Sequence, residues 1–309
     1  MDLADGVLAG DQRAIARAIS LVENEPPQVP SLIRQLFART GQASVIGVTG
    51  APGVGKSTLV DRLVIECRHR GKTVGVLAVD PSSPFTGGSI LGDRIRMQSH
   101  SGDEGVYVRS MATHGHLGGL SNATSDAVLI LDASGCDLVL IETVGVGQGE
   151  VDIARTADVS IVVTIPDAGD EVQAMKAGIM EIGDIFVVNK ADRSGAERTV
   201  TAIEGMLALR EFKKDVWCPP VLKTQATTGE GVPDLLEAVS RFNEENGESQ
   251  ERRRERARVR LTELLQYTFI QRLEKKEHSL ALIRDAVERV VNRDVDPYTA
   301  AADIMERVT

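Results

Sequence analysis

The apolar positions fall into two regimes. Over residues 2–24, Leu3, Val7, Leu8, Ile15, Ile19 and Val22 recur at helical spacing, which predicts one amphipathic helix. Pro26-Pro27 ends it, a short helix follows from Ser31 to about Arg39, and Gly41 supplies its cap. From Ser44 onward short β-rich runs alternate with longer helical stretches. The runs are Val45–Thr49, Thr73–Val79, Val106–Ser110, Leu138–Glu142, Val159–Ile165, Ile185–Asn189 and Val221–Lys223. Several are apolar on both faces, as parallel strands covered by helices on either side must be. The expected fold class is α/β, a doubly wound, mostly parallel sheet of about seven strands.

A polar, charged stretch at Asn243–Glu255, with Gly247 in its middle, marks a boundary. Beyond it Val259, Leu261, Leu264, Leu265, Phe269 and Leu273 form an apolar stripe. A helix from Glu251 to Lys276 would be about 39 Å long, and its stripe must pack on its own domain or on a second copy. The sheet is already complete without it, which favours a dimerisation arm. The expected division is 1–43, an N-terminal helical extension; 44–246, the nucleotide-binding domain; and 247–309, a C-terminal helical arm.

Composition narrows the partners. The chain has 309 residues, 42% hydrophobic, 26% charged and 3% aromatic, so its core is built of Val, Ile, Leu and Ala. A chain of this size buries about 75% of its unfolded surface and needs no disulfides. With 35 Lys+Arg against 45 Asp+Glu the net charge is −10, the wrong sign for gripping nucleic acid or an anionic membrane. The one basic run, Arg252-Arg253-Arg254, is interleaved with Glu251 and Glu255 and reads as a solvated helix face. Cys67, Cys136 and Cys218 fit no metal spacing. No apolar run is long enough to span a membrane, and the acidic start Met1-Asp2-Leu3-Ala4-Asp5 is unlike a signal or transit peptide. The expected location is cytoplasmic.

Residues Gly50-Ala51-Pro52-Gly53-Val54-Gly55-Lys56-Ser57 match G-x-x-x-x-G-K-[ST] at every fixed position, between a strand and a helix, with Thr58 next. A polyphosphate must be wrapped by backbone N–H groups, and glycine lets the chain come close enough. Lys56 is expected to reach the β and γ phosphates, and Ser57 to offer its hydroxyl to Mg²⁺. Asn189-Lys190-Ala191-Asp192 ends an apolar strand and matches the N-K-x-D signature of GTPases. The Asp192 carboxylate can accept from guanine N1–H and N2–H₂, while Asn189 bonds N7 or braces the loop and the Lys190 stem lies along the base. Adenine would leave that carboxylate unpaired. Gln225-Ala226-Thr227, after the last strand, stands where GTPases aim a backbone N–H at guanine O6. The bound nucleotide is therefore expected to be GTP or GDP.

The remaining chemistry lies in loops. Glu142-Thr143-Val144-Gly145 stands where GTPases carry D-x-x-G: an acid toward Mg²⁺ and a glycine N–H toward the γ-phosphate. Asp80 and Asp93 bracket a turn-rich stretch and are either Mg²⁺ ligands or turn caps. Gln148 either orients water or is a surface residue. His114 and His116 form an H-x-H that reads as loop histidines unless a metal cluster supports it. Lys176 is either a cation for transition-state charge or a solvated helix lysine.

Together the P-loop, the Asp80–Arg94 stretch, Gly115–Gly119, Glu142–Glu150 and Asp170-Glu171-Val172-Gln173 with Lys176 resemble the MeaB/ArgK family of P-loop GTPases, relatives of the human cblA-type methylmalonic aciduria protein. Two positions depart from the family pattern: Gly149 and Gln225 stand where Ser is commoner. The second leaves the O6 contact resting on the Ala226 backbone. The resemblance implies a GTP-hydrolysing chaperone that binds adenosylcobalamin-dependent methylmalonyl-CoA mutase, protects it and gates cofactor loading. It also implies a homodimer through C-terminal helices and a mobile segment carrying Lys176. Two rival readings are a P-loop kinase acting on a protein or small molecule, which the guanine signature opposes, and a nickel-insertion GTPase, which would need a metal cluster.

Overall fold

The computed structural model describes residues 2–24, 27–80, 100, 102–112, 119–143, 156–166, 179–209, 217–247, 250–274 and 277–308. Residues 1–256 form one compact unit and 257–309 another.

In the first unit, helices α1 (Leu3–Leu8), α2 (Gln12–Glu23) and α3 (Val29–Leu36) precede strand β1 (Ser44–Thr49). The single helix expected over 2–24 is broken. Gly10 takes φ 72°, where a side chain is disfavoured, and Asp11 restarts the helix by accepting from Ala14 N–H at 2.7 Å. Next come α4 (Lys56–His69), β2 (Val74–Asp80), β3 (Val106–Ala112), α5 (Gly119–Ala133), β4 (Leu138–Thr143) and β5 (Val159–Thr164). The short α6 (Ile179–Ile182), β6 (Ile185–Asn189), α7 (Ala196–Ala208), β7 (Val221–Thr224), α8 (Val232–Phe242) and α9 (Gln250–Glu274) follow.

Among the described residues the sheet has seven strands in the order β3-β2-β4-β1-β5-β6-β7, and every pairing is parallel. The expected architecture is thus present, with each strand within about two residues of its sequence range. Burial on both faces explains the runs. One face packs Ile46, Val48 and Ile161 against Leu59, Leu63 and Val64 of α4 and Leu235 and Val239 of α8. The other packs Val45, Val139 and Ile141 against α1–α3 and α5, and Val162, Phe186 and Val188 against Ile203 and Leu207 of α7. The N-terminal helices therefore share the core of the sheet. The chain winds to one side of β1 and then to the other, so the C-terminal end of β1 opens on the switch point where such sheets bind ligands.

The opposite edge is closed by aspartates. Asp137, Asp158 and Asp184 each stand just before a strand and accept from a neighbouring chain N–H: Thr73, Val45 and Ser160, at 2.8, 2.8 and 3.0 Å. Burial pushes the Asp184 carboxyl above its usual range, opposed by the nearby Arg252 charge. Arg252 bonds Asp184 at 3.1 Å and Arg256 bonds Asp158 at 2.5 Å. The basic run is therefore only partly the solvated face expected: Arg253 and Arg254 are exposed, but Arg252 also lies 4.8 Å from the Phe242 ring. Trp217 meets Phe242 edge-on at 5.1 Å, stands under Arg241, and donates from its indole N–H to Asp184 O at 2.8 Å.

The second unit holds the remainder of α9 with α10 (Glu277–Val291) and α11 (Pro297–Val308). Leu261, Leu265, Val287, Val291 and Tyr298 are exposed on it. Among the described residues no helix is long and apolar enough to cross a membrane.

Candidate nucleotide site

The loop Gly50–Gly55 joins the end of β1 to the first turn of α4. Its glycines are required by geometry. Gly50 has φ 141°, and a Cβ there would stand 2.1 Å from Val163 O. Gly55 has φ 96°, and a Cβ would meet Asn189 Nδ2 at 2.5 Å. Gly55 is also the N-cap of α4, and no side chain among the described residues caps that helix. Its first-turn N–H groups and positive end therefore remain for an anion. Pro52 and Gly53 are exposed, and Ala51, Ser57 and Thr58 half-buried.

Lys56 is 5% exposed. Its ammonium donates to Gly50 O at 2.7 Å and Ala51 O at 2.9 Å, so the charge is held within the loop rather than in solvent. Ser57 Oγ donates to Glu142 Oε1 at 2.5 Å. The hydroxyl and the acid expected to share a cation are thus adjacent, although 85 residues separate them. The Glu142 carboxylate is buried at 6% exposure. Both are hard oxygen donors, the set that Mg²⁺ takes.

Asn189, 1% exposed, braces three segments. Its Nδ2 donates to Val54 O at 2.8 Å, and its Oδ1 accepts from Thr224 Oγ1 and Ala226 N–H, both at 3.1 Å. These bonds are the loop brace, one of the two roles left open for this residue. Lys190 holds φ 56°, unusual for a side-chain-bearing residue, and its ammonium donates to Gly53 O at 2.7 Å. Its stem thus runs back along the P-loop. Asp192 is exposed, and its carboxylate takes no hydrogen bond from the described residues.

The loop after β7 is tied at both ends. Gln225 and Glu230 form an antiparallel bridge, and Gly231, at φ 76°, lies too close to Lys223 O for any Cβ. Arg62 of α4 donates Nε to Ala226 O at 3.1 Å and Nη2 to Thr227 O at 2.7 Å. The sequence pattern did not single out Arg62, because nothing local shows what a lone helix arginine will reach.

Asp93, Gly145, Gln148, Lys176, His114 and His116 lie outside the described residues, as does the side chain of Asp80. Among the described residues no cluster of three His, Cys, Asp or Glu is placed to hold a metal. Cys67 is buried, and burial pushes its thiol up to about 11.

Residues 15–278 match the profile of the family described as methylmalonyl Co-A mutase-associated GTPase MeaB. A Pyrococcus horikoshii protein named as a GTPase is 50% identical over 99% of this chain and 98% of its own length. The mitochondrial methylmalonic aciduria type A homolog of Caenorhabditis elegans is 37% identical over 82% of this chain and 68% of its own. The solved structure of a LAO/AO transport system kinase superposes with a TM-score of 0.75 at 26% identity, covering 99% of this chain and 96% of that one. A P-loop closed on an N-K-x-D loop and a match across most of the chain lead to one conclusion: this protein belongs to the MeaB family of P-loop GTPases.

Proposed function

We propose that this GTPase acts as a chaperone of an adenosylcobalamin-dependent methylmalonyl-CoA mutase, protecting it and gating the loading of its cofactor. The observation that carries this reading is the family match over residues 15–278, in a family described as mutase-associated. The likeness to a methylmalonic aciduria type A homolog supports it. In this reading the protein works in the cytoplasm as a homodimer through its C-terminal helices. The exposed apolar side chains of residues 257–309 support the dimer; a monomeric mass by light scattering would overturn it.

The chemistry follows from the loop. GTP lays its phosphates along the N–H groups of Gly53–Thr58, and the Lys56 ammonium exchanges the Gly50 and Ala51 carbonyls for β and γ oxygens. Ser57 and Glu142, with Asp80 and Asp93, would hold Mg²⁺. The ion would neutralise charge developing on the phosphate oxygens. Guanine is held by Asp192 on its N1–H and N2–H₂ edge, beside the Lys190 stem. Gly145 offers its N–H to the γ-phosphate, and Lys176 brings a cation to the transition state when the mutase is bound.

Single-turnover GTP hydrolysis tests the proposal, using wild type and Lys176→Ala, each with and without the mutase. Stimulation of the wild type, reduced in the variant, is expected; a supplied cation is worth about 10³–10⁵ in rate in other GTPases. A wild type that no cobalamin mutase stimulates would sink the chaperone reading.

A further inference from the structure

The hydrogen bonds of the loop after β7 single out one peptide. Between Gln225 and Gly229, four of the five backbone N–H groups are engaged. Gln225 N–H donates to Glu230 O, Thr228 and Gly229 N–H both donate to Gln225 O, and Ala226 N–H donates to Asn189 Oδ1. Only the Thr227 N–H has no partner among the described residues. Ala226, to which the O6 contact falls by resemblance, already has its N–H committed to the brace.

The Thr227 N–H belongs to the same peptide unit as the Ala226 carbonyl. That carbonyl is held at 3.1 Å by Nε of Arg62, while Nη2 of the same guanidinium holds the next carbonyl, Thr227 O, at 2.7 Å. Among the described residues no peptide bond is cis. In a planar trans unit the C=O and N–H point in opposite directions. Arg62 therefore draws two successive carbonyls toward α4 and turns the Thr227 N–H away from it. The Asn189 bridge fixes the level of the loop relative to the P-loop, and Arg62 fixes the rotation of the peptide. A guanidinium suits this task because its rigid fork engages two acceptors at once. The arginine sits on the helix whose first turn receives the phosphates, so one rigid element sets both ends of the nucleotide.

We propose that Arg62 is a positioning residue for base specificity: it orients the Ala226–Thr227 peptide so that the Thr227 N–H, rather than that of Ala226, meets the 6-oxo group of a guanine nucleotide. This deepens the guanine reading above and rests on it.

Calorimetry on the full chain tests it with three diphosphates: GDP; IDP, which keeps the 6-oxo group and lacks the 2-amino group; and the diphosphate of 2-aminopurine riboside, which lacks the 6-oxo group and with it the N1–H, a second loss common to wild type and variant. Wild type should prefer GDP over the 2-aminopurine nucleotide. Arg62→Ala should shrink that preference by about two- to tenfold, one hydrogen bond's worth, and leave the GDP-to-IDP ratio unchanged, because Asp192 reads the 2-amino edge. Arg62→Lys, which reaches one carbonyl, should fall between and carries the same comparison if the alanine variant folds poorly. Affinity lost in equal proportion for all three nucleotides would mean that Arg62 only stabilises the loop, and would overturn the proposal. No loss for any of them would overturn it equally. A wild type that does not discriminate at the 6-position would instead overturn the guanine reading, and this proposal with it.

Discussion

Replacing Asn189 with alanine tests whether the site is one hydrogen-bonded body. The carboxamide makes three buried bonds, to Val54 O, Thr224 Oγ1 and Ala226 N–H. Truncation leaves each of those groups without its partner, at about 1–3 kcal/mol apiece where no water replaces it. The hole is large enough for solvent to recover part of this, so a net loss of about 2–4 kcal/mol is expected. The three partners lie on the P-loop and on the loop after β7, so GDP affinity should fall as well, by about tenfold or more. Asn189→Asp separates the two effects. It keeps an acceptor for Thr224 and Ala226 but sets a carboxylate against the Val54 carbonyl, so the phosphate side should suffer more than base preference. Urea unfolding followed by circular dichroism gives the stability, and calorimetry the affinity. A loss below about 0.5 kcal/mol, the range of an ordinary surface change, with GDP affinity unchanged, would refute the brace.

Three further outcomes are expected. Glu142→Gln keeps the shape beside Ser57 but removes the charge, so the Mg²⁺ requirement for GTP turnover should move to roughly tenfold higher concentration; an unchanged Mg²⁺ titration would remove Glu142 from the metal site. Asp192→Asn should weaken GDP and favour XDP, whose 2-oxo group pairs with an amide donor, by at least about a hundredfold in relative affinity; GDP binding as tight as wild type would contradict the base assignment. Burial raises the Cys67 thiol from 9.0 to about 11. Its contribution to stability is therefore fully present below the unfolded value and is lost as pH rises through the folded one. Urea midpoints of Cys67→Ala should decline less steeply than wild type across that window, and parallel declines would disprove the linkage.

The sheet was legible because its strands are buried on both faces, and such strands print as continuous apolar runs. The phosphate loop was legible because its chemistry imposes a fixed local spacing. What escaped was contact between distant segments. Helical spacing over residues 2–24 hid a break that depends on Gly10 and Asp11, two residues that leave the apolar pattern intact. Arg252 read as a charged surface because its partner, Asp184, lies far away in the chain. Arg62 looked like any helix arginine, since its targets are backbone carbonyls, which carry no sequence signature. The Asn189 bond to the Ala226 N–H also escaped, because it joins the ends of two neighbouring strands that lie 37 residues apart in the chain.

The setting of Trp217 has a spectroscopic consequence. It is the chain's one tryptophan, and it is held by Phe242, Arg241 and the Asp184 carbonyl. Asp184 and Phe242 are also the two groups that Arg252 engages from the start of α9. The intrinsic fluorescence of the protein therefore originates at the root of the C-terminal helix and at the edge of the sheet opposite the nucleotide. It is an unlabelled optical gauge of whether that root is seated. Quenching by a neutral solute should increase when Arg252 is removed, and a change in emission on adding GTP would report strain carried the full length of the strands.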